Sequence, residues 1–245
     1  MPSDPNTLII MYIEGGNYDL SGIKVTLKSV RQYYTDEIVV ICKDVDTALL
    51  DFLQSQNVTV RDGDEFPVLY KTSPYNNKII YIHLFLQKYK QDYENFRVFY
   101  CDISDVYFRC NPFAIFDKVR NQFYTETKGL IFSLEDKTIS ECATNTYWSN
   151  ICYGESITSR MGNSTVINSG LIWGDIDSIV DLYAHMIQEM TVILSRINYP
   201  TTDQIIVNKL VYIDNIACVL TSSFVNNLSQ KVRNNIDNLI NHQYK

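Results

Sequence analysis

No run or stripe of basic residues occurs in this sequence, and its formal net charge is −7 at pH 7. Proteins that bind nucleic acid or anionic membranes usually cluster lysine and arginine on one surface. We therefore expect neither nucleic acid nor an anionic lipid surface to be the main partner. Any phosphate group that the protein binds would be held by local contacts instead.

The sequence also lacks a C-x-x-C pair, a signal-like amino terminus and any apolar stretch near the ~18 to 20 residues that a membrane-spanning helix needs. Its cysteines are scattered at Cys42, Cys101, Cys110, Cys142, Cys152 and Cys218. Scattered cysteines without a secretion signal are typical of reduced thiols in a core. We expect an intracellular, soluble (cytoplasmic) protein without a membrane span.

Internal repeats, linkers and low-complexity segments are absent too, which favours a single domain over residues 1–245. A chain of 245 residues with 46% hydrophobic and 13% aromatic content can bury a sizeable core. The composition is therefore that of a folded globular protein rather than a disordered one.

The first half of the chain alternates short β-rich runs with helical patterns. Strands are predicted at 8–13, 37–42, 58–62 and 97–102, and helices at 20–34, 47–54 and about 76–89. This βαβαβαβ order is typical of an open α/β sheet with parallel strand pairing. Ligands of such sheets bind at the carboxyl ends of the strands, which is where Glu14, Asp44 and Asp102 fall.

The second half is less regular, with strands predicted near 130–134 and 165–173. Apolar residues recur at helical spacing from 176 to 194, and this stripe predicts a helix that packs on the core. A further helix is predicted from about 202 to 210, with Asp203 in its first turn.

Two aspartates stand three positions apart at the end of the fourth predicted strand, in the stretch YCDISDVYF. Asp102 and Asp105 have a plain explanation, because aspartate commonly ends strands and opens turns. Two acids held so close also repel each other unless a cation or a donor compensates them, and oxygen ligation of Mg²⁺ or Mn²⁺ does so. Their position at the crevice favours a metal site that clamps a diphosphate.

Five segments, taken in order, resemble a group of GT-A-fold glycosyltransferases found in plants and large viruses. The segments are YCDISDVYFRCNPF, FSLEDKTISECATNTYWSNICYG, VINSGLIWGDIDSIVDLYAHM, TDQIIVNKLVY and a late HQY. Members of the group carry a D-x-x-D-V-x-F-x-x-x-P-F stretch, and the resemblance covers about residues 8 to 244. It implies a GT-A-type open, mostly parallel (mixed) sheet flanked by helices, with a Rossmann-like N-terminal half.

The resemblance also implies an activity. Such an enzyme moves a sugar from a nucleotide-diphosphate sugar, with a UDP-sugar favoured, to a hydroxyl acceptor such as a glycan. The nucleotide would lie on about residues 1–110 and the acceptor on about 111–245. A divalent ion, Mn²⁺ or Mg²⁺, would be held by Asp102, Asp105 and His242. The wider fold uses D-x-D, and the position of its second acid is Ser104 here.

Further residues are implied at the two substrates. Those at the donor are Ile13, Asp44, Lys78, Asp102, Ile103, Ser104, Asn168, Ser169, Gly170 and Gln204, and those at the acceptor are Glu135 and Trp148. Glycine would let the backbone approach the sugar, and an indole face covers a pyranose ring well. Each residue also has a structural explanation, such as an ordinary turn at Asn168–Gly170 or core packing of Trp148.

Asp203 is the implied catalytic residue, although the helix dipole alone also favours an acid in a first turn. In an inverting transferase, Asp203 would deprotonate the acceptor hydroxyl from the face opposite the leaving group. In a retaining transferase, it would orient the sugar. The residues themselves leave both outcomes open.

Three other functions compete with this one. A nucleotidyltransferase would need a glycine-rich phosphate loop after the first strand, and EGGNYDLSG has neither the spacing nor the basic residue. A phosphatase with an aspartyl nucleophile would need D-x-D at 102–104, which Ser104 breaks. A non-catalytic nucleotide-sugar or carbohydrate binder that has lost its metal site stays open, because Ser104 is compatible with it.

Overall fold

The structure is a computed structural model that describes residues 6–16, 18–68, 72–114, 117–118, 129–197, 203–221, 225–229 and 240–244. Helices and strands alternate along its first half. The elements are β1 (Thr7–Glu14), α1 (Leu20–Arg31), β2 (Glu37–Lys43), α2 (Thr47–Ser55), β3 (Thr59–Asp62), α3 (Pro74–Tyr89), β4 (Arg97–Cys101) and β5 (Val106–Phe108). The predicted order of elements up to β4 is therefore confirmed.

The second half supplies the remaining elements. They are β6 (Ile131–Thr138), α4 (Ala143–Tyr153), α5 (Glu155–Met161), β7 (Thr165–Asp175), α6 (Ile176–Leu194), α7 (Asp203–Tyr212), β8 (Val219–Thr221), β9 (Val225–Ser229) and β10 (Ile240–Tyr244). None of the helices in the described ranges is long and apolar enough to cross a membrane.

The main sheet has seven described strands in the order β3-β2-β1-β4-β7-β6-β8. Strands β3, β2, β1 and β4 pair in parallel, whereas β7 runs antiparallel to both β4 and β6. The sheet is therefore open and mixed, as the sequence predicted. A small second sheet, in the order β5-β10-β9, brings the end of the described chain back beside the segment that follows β4.

Polar side chains begin several of these helices. Asp46 accepts from the backbone N–H of Leu49 at the start of α2, and Asp175 accepts from that of Ser178 at the start of α6. Ser73 caps α3, whose first residue is a proline. The helix starts agree with the predicted ones to within a few residues.

Two hydrophobic layers cover the two faces of the main sheet. Helices α3 and α6 pack on one face, and α1 and α2 pack on the other. The predicted apolar stripe of α6 is confirmed as core by its buried residues Ile176, Ile179, Tyr183, Met186, Met190 and Ile193. Both faces of the central strands are thereby covered, and their carboxyl ends are left for ligands.

The structure also departs from the predicted elements. Helix α1 ends at Arg31 rather than near residue 34, because the Arg31 guanidinium donates to the carbonyls of Tyr34 and Asp36 and stabilises a turn there. The sequence analysis missed α4 and α5. Helix α4 begins after Cys142, which makes no side-chain cap, and its composition is rich in Thr, Asn and aromatic residues, so the local signals for a helix are weak.

Candidate active site

The carboxyl end of β4 lies beside the middle of β7. Cys101, the last residue of β4, pairs with Leu171, and the backbone N–H of Asp102 donates to the carbonyl of Gly170 at 2.9 Å. The strand register therefore brings the predicted sugar-binding segment Asn168–Gly170 next to the predicted metal-binding segment. Two motifs that are far apart in the sequence belong to one site.

Lys78 of α3 joins two acids at this point. Its Nζ lies 2.7 Å from Oδ2 of Asp203 and 3.4 Å from Oδ1 of Asp102. Burial by itself would lower the pKa of Lys78, but the carboxylates of Asp102 and Asp203 outweigh it and hold that pKa well above the usual value. The ammonium group therefore stays charged, and a donor phosphate would share it with two protein acids.

Asp203 is the first residue of α7, and only 4% of it is exposed. Besides the contact with Lys78, its Oδ2 accepts a hydrogen bond from the Ser169 hydroxyl at 3.0 Å. The structure thus brings together four of the predicted site residues, namely Lys78, Asp102, Ser169 and Asp203. A charged, hydrogen-bonded cluster of this kind at a strand-end crevice is typical of a functional site.

Tyr100 adds a hydroxyl to the cluster that the sequence analysis did not assign. It donates to Oδ1 of Asp102 at 2.6 Å. Burial, followed by the negative charge of Asp102, raises the pKa of Tyr100 well above its usual value, so the phenol stays protonated and remains a donor. Successive side chains of a strand point to opposite faces, so residues 100 and 102 lie on the same face of the sheet. This spacing in the sequence could have indicated their contact.

Glu135 of β6 lies in a second polar network next to this cluster. Its Oε1 accepts from Nδ2 of Asn168 at 3.2 Å and from Nε2 of Gln204 at 3.2 Å, and Glu135 is 5% exposed. Nε2 of Gln204 also donates to Oδ1 of Asn145 at 3.0 Å. Glu135 was predicted to contact the acceptor and Gln204 to contact the donor. The two side chains are hydrogen-bonded to each other.

The segment that carries the two predicted metal ligands packs on α1. Only a glycine fits at position 22, because a Cβ there would lie 2.0 Å from the carbonyl oxygen of Ser104. Burial, followed by the negative charges of Asp102 and Asp105, raises the pKa of the Cys101 thiol well above its usual value. The close packing of Ser104 on α1 constrains the turn between the two aspartates.

His242 belongs to β10, and its backbone is paired opposite Val106. This register puts it one residue from Asp105 along the neighbouring strand, although the His242 side chain lies outside what the structure describes. Among the side chains that are described, no group of three His, Cys, Asp or Glu residues is arranged to hold a metal ion. Two carboxylates three residues apart at the end of a strand are a donor set that suits Mn²⁺ or Mg²⁺, so Asp102 and Asp105 fit the implied ion.

Acids also gather at the carboxyl ends of β1 and β2. Glu14 accepts from the hydroxyl of Tyr12 at 2.6 Å and from the amide of Asn77 at 3.0 and 3.1 Å. Asp44, a predicted donor residue, has a φ of 54° and contacts the ammonium of Lys43. Asp44 is therefore held in a turn at the edge of the crevice, as its position in the sequence predicted.

The other predicted site residues differ in how much of their side chain is exposed to solvent. Ile13 is 5% exposed and Ile103 is 6% exposed, and both pack in the core, so only their backbones are available for a ligand contact. Ser104 is half-buried beside α1. Trp148 of α4 is partly buried and packs against the core on the α3 and α6 side, which leaves part of its ring accessible.

Two asparagines of the site were missed by sequence reasoning. Asn208 donates to and accepts from the backbone of Ile167 at 2.9 Å, and it also donates to the carbonyl of Gln204. Asn145 accepts from Gln204 as described above. Asn208 follows Gln204 by one helical turn, and this spacing could have indicated that both face β7. Asn145 had no comparable signal, because α4 itself was not predicted.

Comparisons with known proteins support the architecture. No protein-family model matches the chain, and no curated protein matches it in sequence. A solved structure of the galactosyltransferase LgtC, in complex with donor and acceptor sugar analogues, is similar over 98% of this chain and 87% of LgtC, with 15% identity and a TM-score of 0.55. A structure of an LgtC active-site mutant in which glutamate replaces glutamine is similar over 98% and 88%, with 14% identity and a TM-score of 0.56.

An identity of 14 to 15% supports a conclusion about architecture and no more. The mixed seven-stranded sheet of the described residues, its flanking helices and its strand-end crevice agree with that architecture. This chain therefore has the GT-A glycosyltransferase fold.

Proposed function

We propose that the protein is a metal-dependent glycosyltransferase that moves a sugar from a nucleotide-diphosphate sugar, with a UDP-sugar favoured, to a hydroxyl acceptor such as a glycan. The observation that carries this proposal is the cluster of Lys78, Asp102, Ser169 and Asp203 at the carboxyl end of β4, on a GT-A fold. The solved neighbour with donor and acceptor sugar analogues supports the same class of substrates.

The metal site of this proposal consists of Asp102, Asp105 and His242. A bound Mn²⁺ or Mg²⁺ would stabilise the negative charge that develops on the leaving diphosphate. Lys78 contributes a fixed positive charge next to one of these carboxylates, 3.4 Å from Asp102. Such preorganised charge is effective because the groups need not reorganise during the reaction.

The donor sugar is proposed to lie over Asn168, Ser169 and Gly170, with Asp203 and Gln204 facing it. Oδ2 of Asp203 already accepts from Lys78 and Ser169, and the residue is almost fully buried. An oxygen that accepts two hydrogen bonds is poorly placed to take a proton from an acceptor. These contacts favour an Asp203 that orients the sugar over one that acts as the base.

The nucleotide is proposed to lie across the ends of β1 and β2, near Asp44 and the backbone of Ile13. The acceptor is proposed to lie over the second half, where Trp148 offers part of an indole face for a sugar ring. The chain is thereby proposed to divide, within one domain, into a nucleotide half of about residues 1–110 and an acceptor half of about 111–245.

Release of the nucleoside diphosphate tests this proposal. The purified protein is incubated with a panel of nucleotide sugars and Mn²⁺, without acceptor and then with simple glycans. We expect slow hydrolysis of one donor, loss of that activity in Asp105→Ala, and normal activity in Asp51→Ala, an exposed aspartate of α2. A nucleotide-induced rise in melting temperature without any diphosphate release would instead support a non-catalytic binder.

A further inference from the structure

A single buried carboxylate determines which way two amide side chains face in the site. Oε1 of Glu135 accepts hydrogen bonds from two amides, so each of these amides must present its NH₂ group to it. Asn168 and Gln204 both do so, at 3.2 Å from the same Oε1 atom. The orientation of both amides therefore follows from the chemistry of Glu135.

Gln204 is constrained from a second side as well. Its Nε2 also donates to Oδ1 of Asn145 at 3.0 Å, while Nδ2 of Asn145 contacts Sγ of Cys142 at 3.1 Å. Both hydrogens of the Gln204 NH₂ group are thereby used by buried acceptors. Oε1 of Gln204 lies on the opposite side, where it accepts from the backbone N–H of Ser169 at 3.5 Å. The group that Gln204 turns towards the Asp203 cluster is thus an acceptor.

Glu135 also contributes to the conformation of the segment Asn168–Gly170. With its NH₂ group on Glu135, Asn168 directs Oδ1 to the backbone N–H of Gly170 at 2.8 Å. Gly170 in turn accepts from the backbone N–H of Asp102. One residue of β6 is therefore linked, through two amides, to the two segments that form the site.

We propose that Glu135 is a positioning residue that fixes the amide of Gln204, so that Oε1 of Gln204 and the carboxylate of Asp203 form an acceptor pair for hydroxyl groups of the transferred sugar. This inference rests on the proposed function and assigns Glu135 to the sugar site through Gln204, rather than to the acceptor. A sugar hydroxyl is a donor that both oxygens can accept, whereas a flipped Gln204 would present NH₂.

The first test is a double-mutant cycle on turnover with the donor and acceptor that the panel identifies. In Glu135→Gln, an amide faces an amide and both orientations of Gln204 become possible, so kcat should fall by about threefold to tenfold while the donor KM stays within about twofold. In the Gln204→Ala background, the same change should have a clearly smaller effect on kcat, because only the part that acts through Asn168 is left. Equal effects in both backgrounds would overturn the proposal.

A control variant separates positioning from loss of a buried hydrogen bond. Thr158 is buried outside the site, where its hydroxyl lies 2.8 Å from that of Ser149 and donates to the carbonyl of Gly154. Thr158→Val should lower the melting temperature and leave kcat unchanged. If Thr158→Val and Glu135→Gln lower kcat alike, Glu135 has only a structural role.

A second readout does not depend on activity. In a ¹⁵N-labelled full-length protein, the side-chain NH₂ signal of Gln204, assigned by its loss in Gln204→Ala, should exchange slowly with solvent and should shift and broaden in Glu135→Gln. An unchanged signal in that variant would contradict the proposal. If wild-type protein released no diphosphate from any donor, the proposed function would fail, and this signal would still decide whether Glu135 orients Gln204.

Discussion

Nζ of Lys78 lies 2.7 Å from Oδ2 of Asp203, and this contact joins the first turns of α3 to the first residue of α7. The two residues come from opposite halves of the chain. Their side chains are 12% and 6% exposed, so the ion pair is buried within the crevice rather than exposed on a surface. The pair is therefore both a structural link and part of the proposed site.

Removing one partner of this buried pair should be costly. Lys78→Met leaves Asp203 buried without its cation and should lower the free energy of unfolding in urea by about 3 kcal/mol. Lys88→Met, in the same helix, removes an exposed pair with Glu65 and should leave the unfolding free energy nearly unchanged. The single variant Asp203→Leu and the double variant, Lys78→Met with Asp203→Leu, complete a double-mutant cycle. The double variant should lose much less stability than the sum of the two single losses, and a loss equal to that sum would show that the pair does not couple.

A methyl group at position 22 should displace the metal segment. Helix propensity alone predicts that Gly22→Ala stabilises α1 by up to about 1 kcal/mol. The new Cβ would instead meet the Ser104 carbonyl at 2.0 Å, a backbone atom that cannot rotate away. We expect lower stability and weaker binding of Mn²⁺, measured by calorimetry with nucleoside diphosphate present. Ser21→Ala, at an exposed neighbouring position, is the control, and a stabilised Gly22→Ala with normal Mn²⁺ affinity would contradict the packing of Ser104 on α1.

Acid should destabilise the protein partly through His83. Burial lowers the pKa of this imidazole, a hydrogen bond to the Val180 carbonyl opposes that shift, and Nδ1 is buried without a partner among the described residues. Below the ordinary value of about 6.5, the unfolded chain takes up a proton that folded His83 does not, so stability falls as pH decreases. His83→Leu should remove this loss. The test compares urea midpoints of both proteins at pH 7.5 and 5.5, and an equal decrease in both would exclude His83 as a cause.

His242 should contribute to metal binding if the register of β10 carries it to Asp105. His242→Ala should weaken Mn²⁺ binding by about tenfold or more, because an inner ligand is lost, and deletion of residues 241–245 should have at least the same effect. His185→Ala is the matched control, since that residue lies on α6 and lines a pocket with Leu130, Leu182 and Ile216, to which neither Asp102 nor Asp105 contributes. Unaltered Mn²⁺ affinity in His242→Ala would remove it from the ligand set.

Local patterns were sufficient for much of the fold. The alternation of strands and helices up to β4 and the apolar stripe of α6 were predicted correctly because each reflects a periodicity within one element. The strand-end position of Asp102 followed from the same patterns. Helix α4 was missed because its composition favours other structures and only packing stabilises it.

The contacts within the site could not be predicted in the same way. The bond from Asn168 of β7 to Glu135 of β6 depends on the antiparallel pairing of these strands, which contains register irregularities. A shift of one residue in such pairing would turn each side chain to the opposite face. Lys78 was predicted as a donor-binding residue, but its ion pair with Asp203 could not be predicted, because the two residues are far apart in the sequence.

A crystal soaked with Mn²⁺ and the donor that the panel identifies would test the central proposal most directly. Anomalous scattering would locate the ion without ambiguity. We expect Mn²⁺ between the diphosphate and the carboxylates of Asp102 and Asp105, with the sugar beside Asp203 and Gln204. A nucleotide bound elsewhere, or a donor bound in this crevice with no ion at the two aspartates, would contradict it.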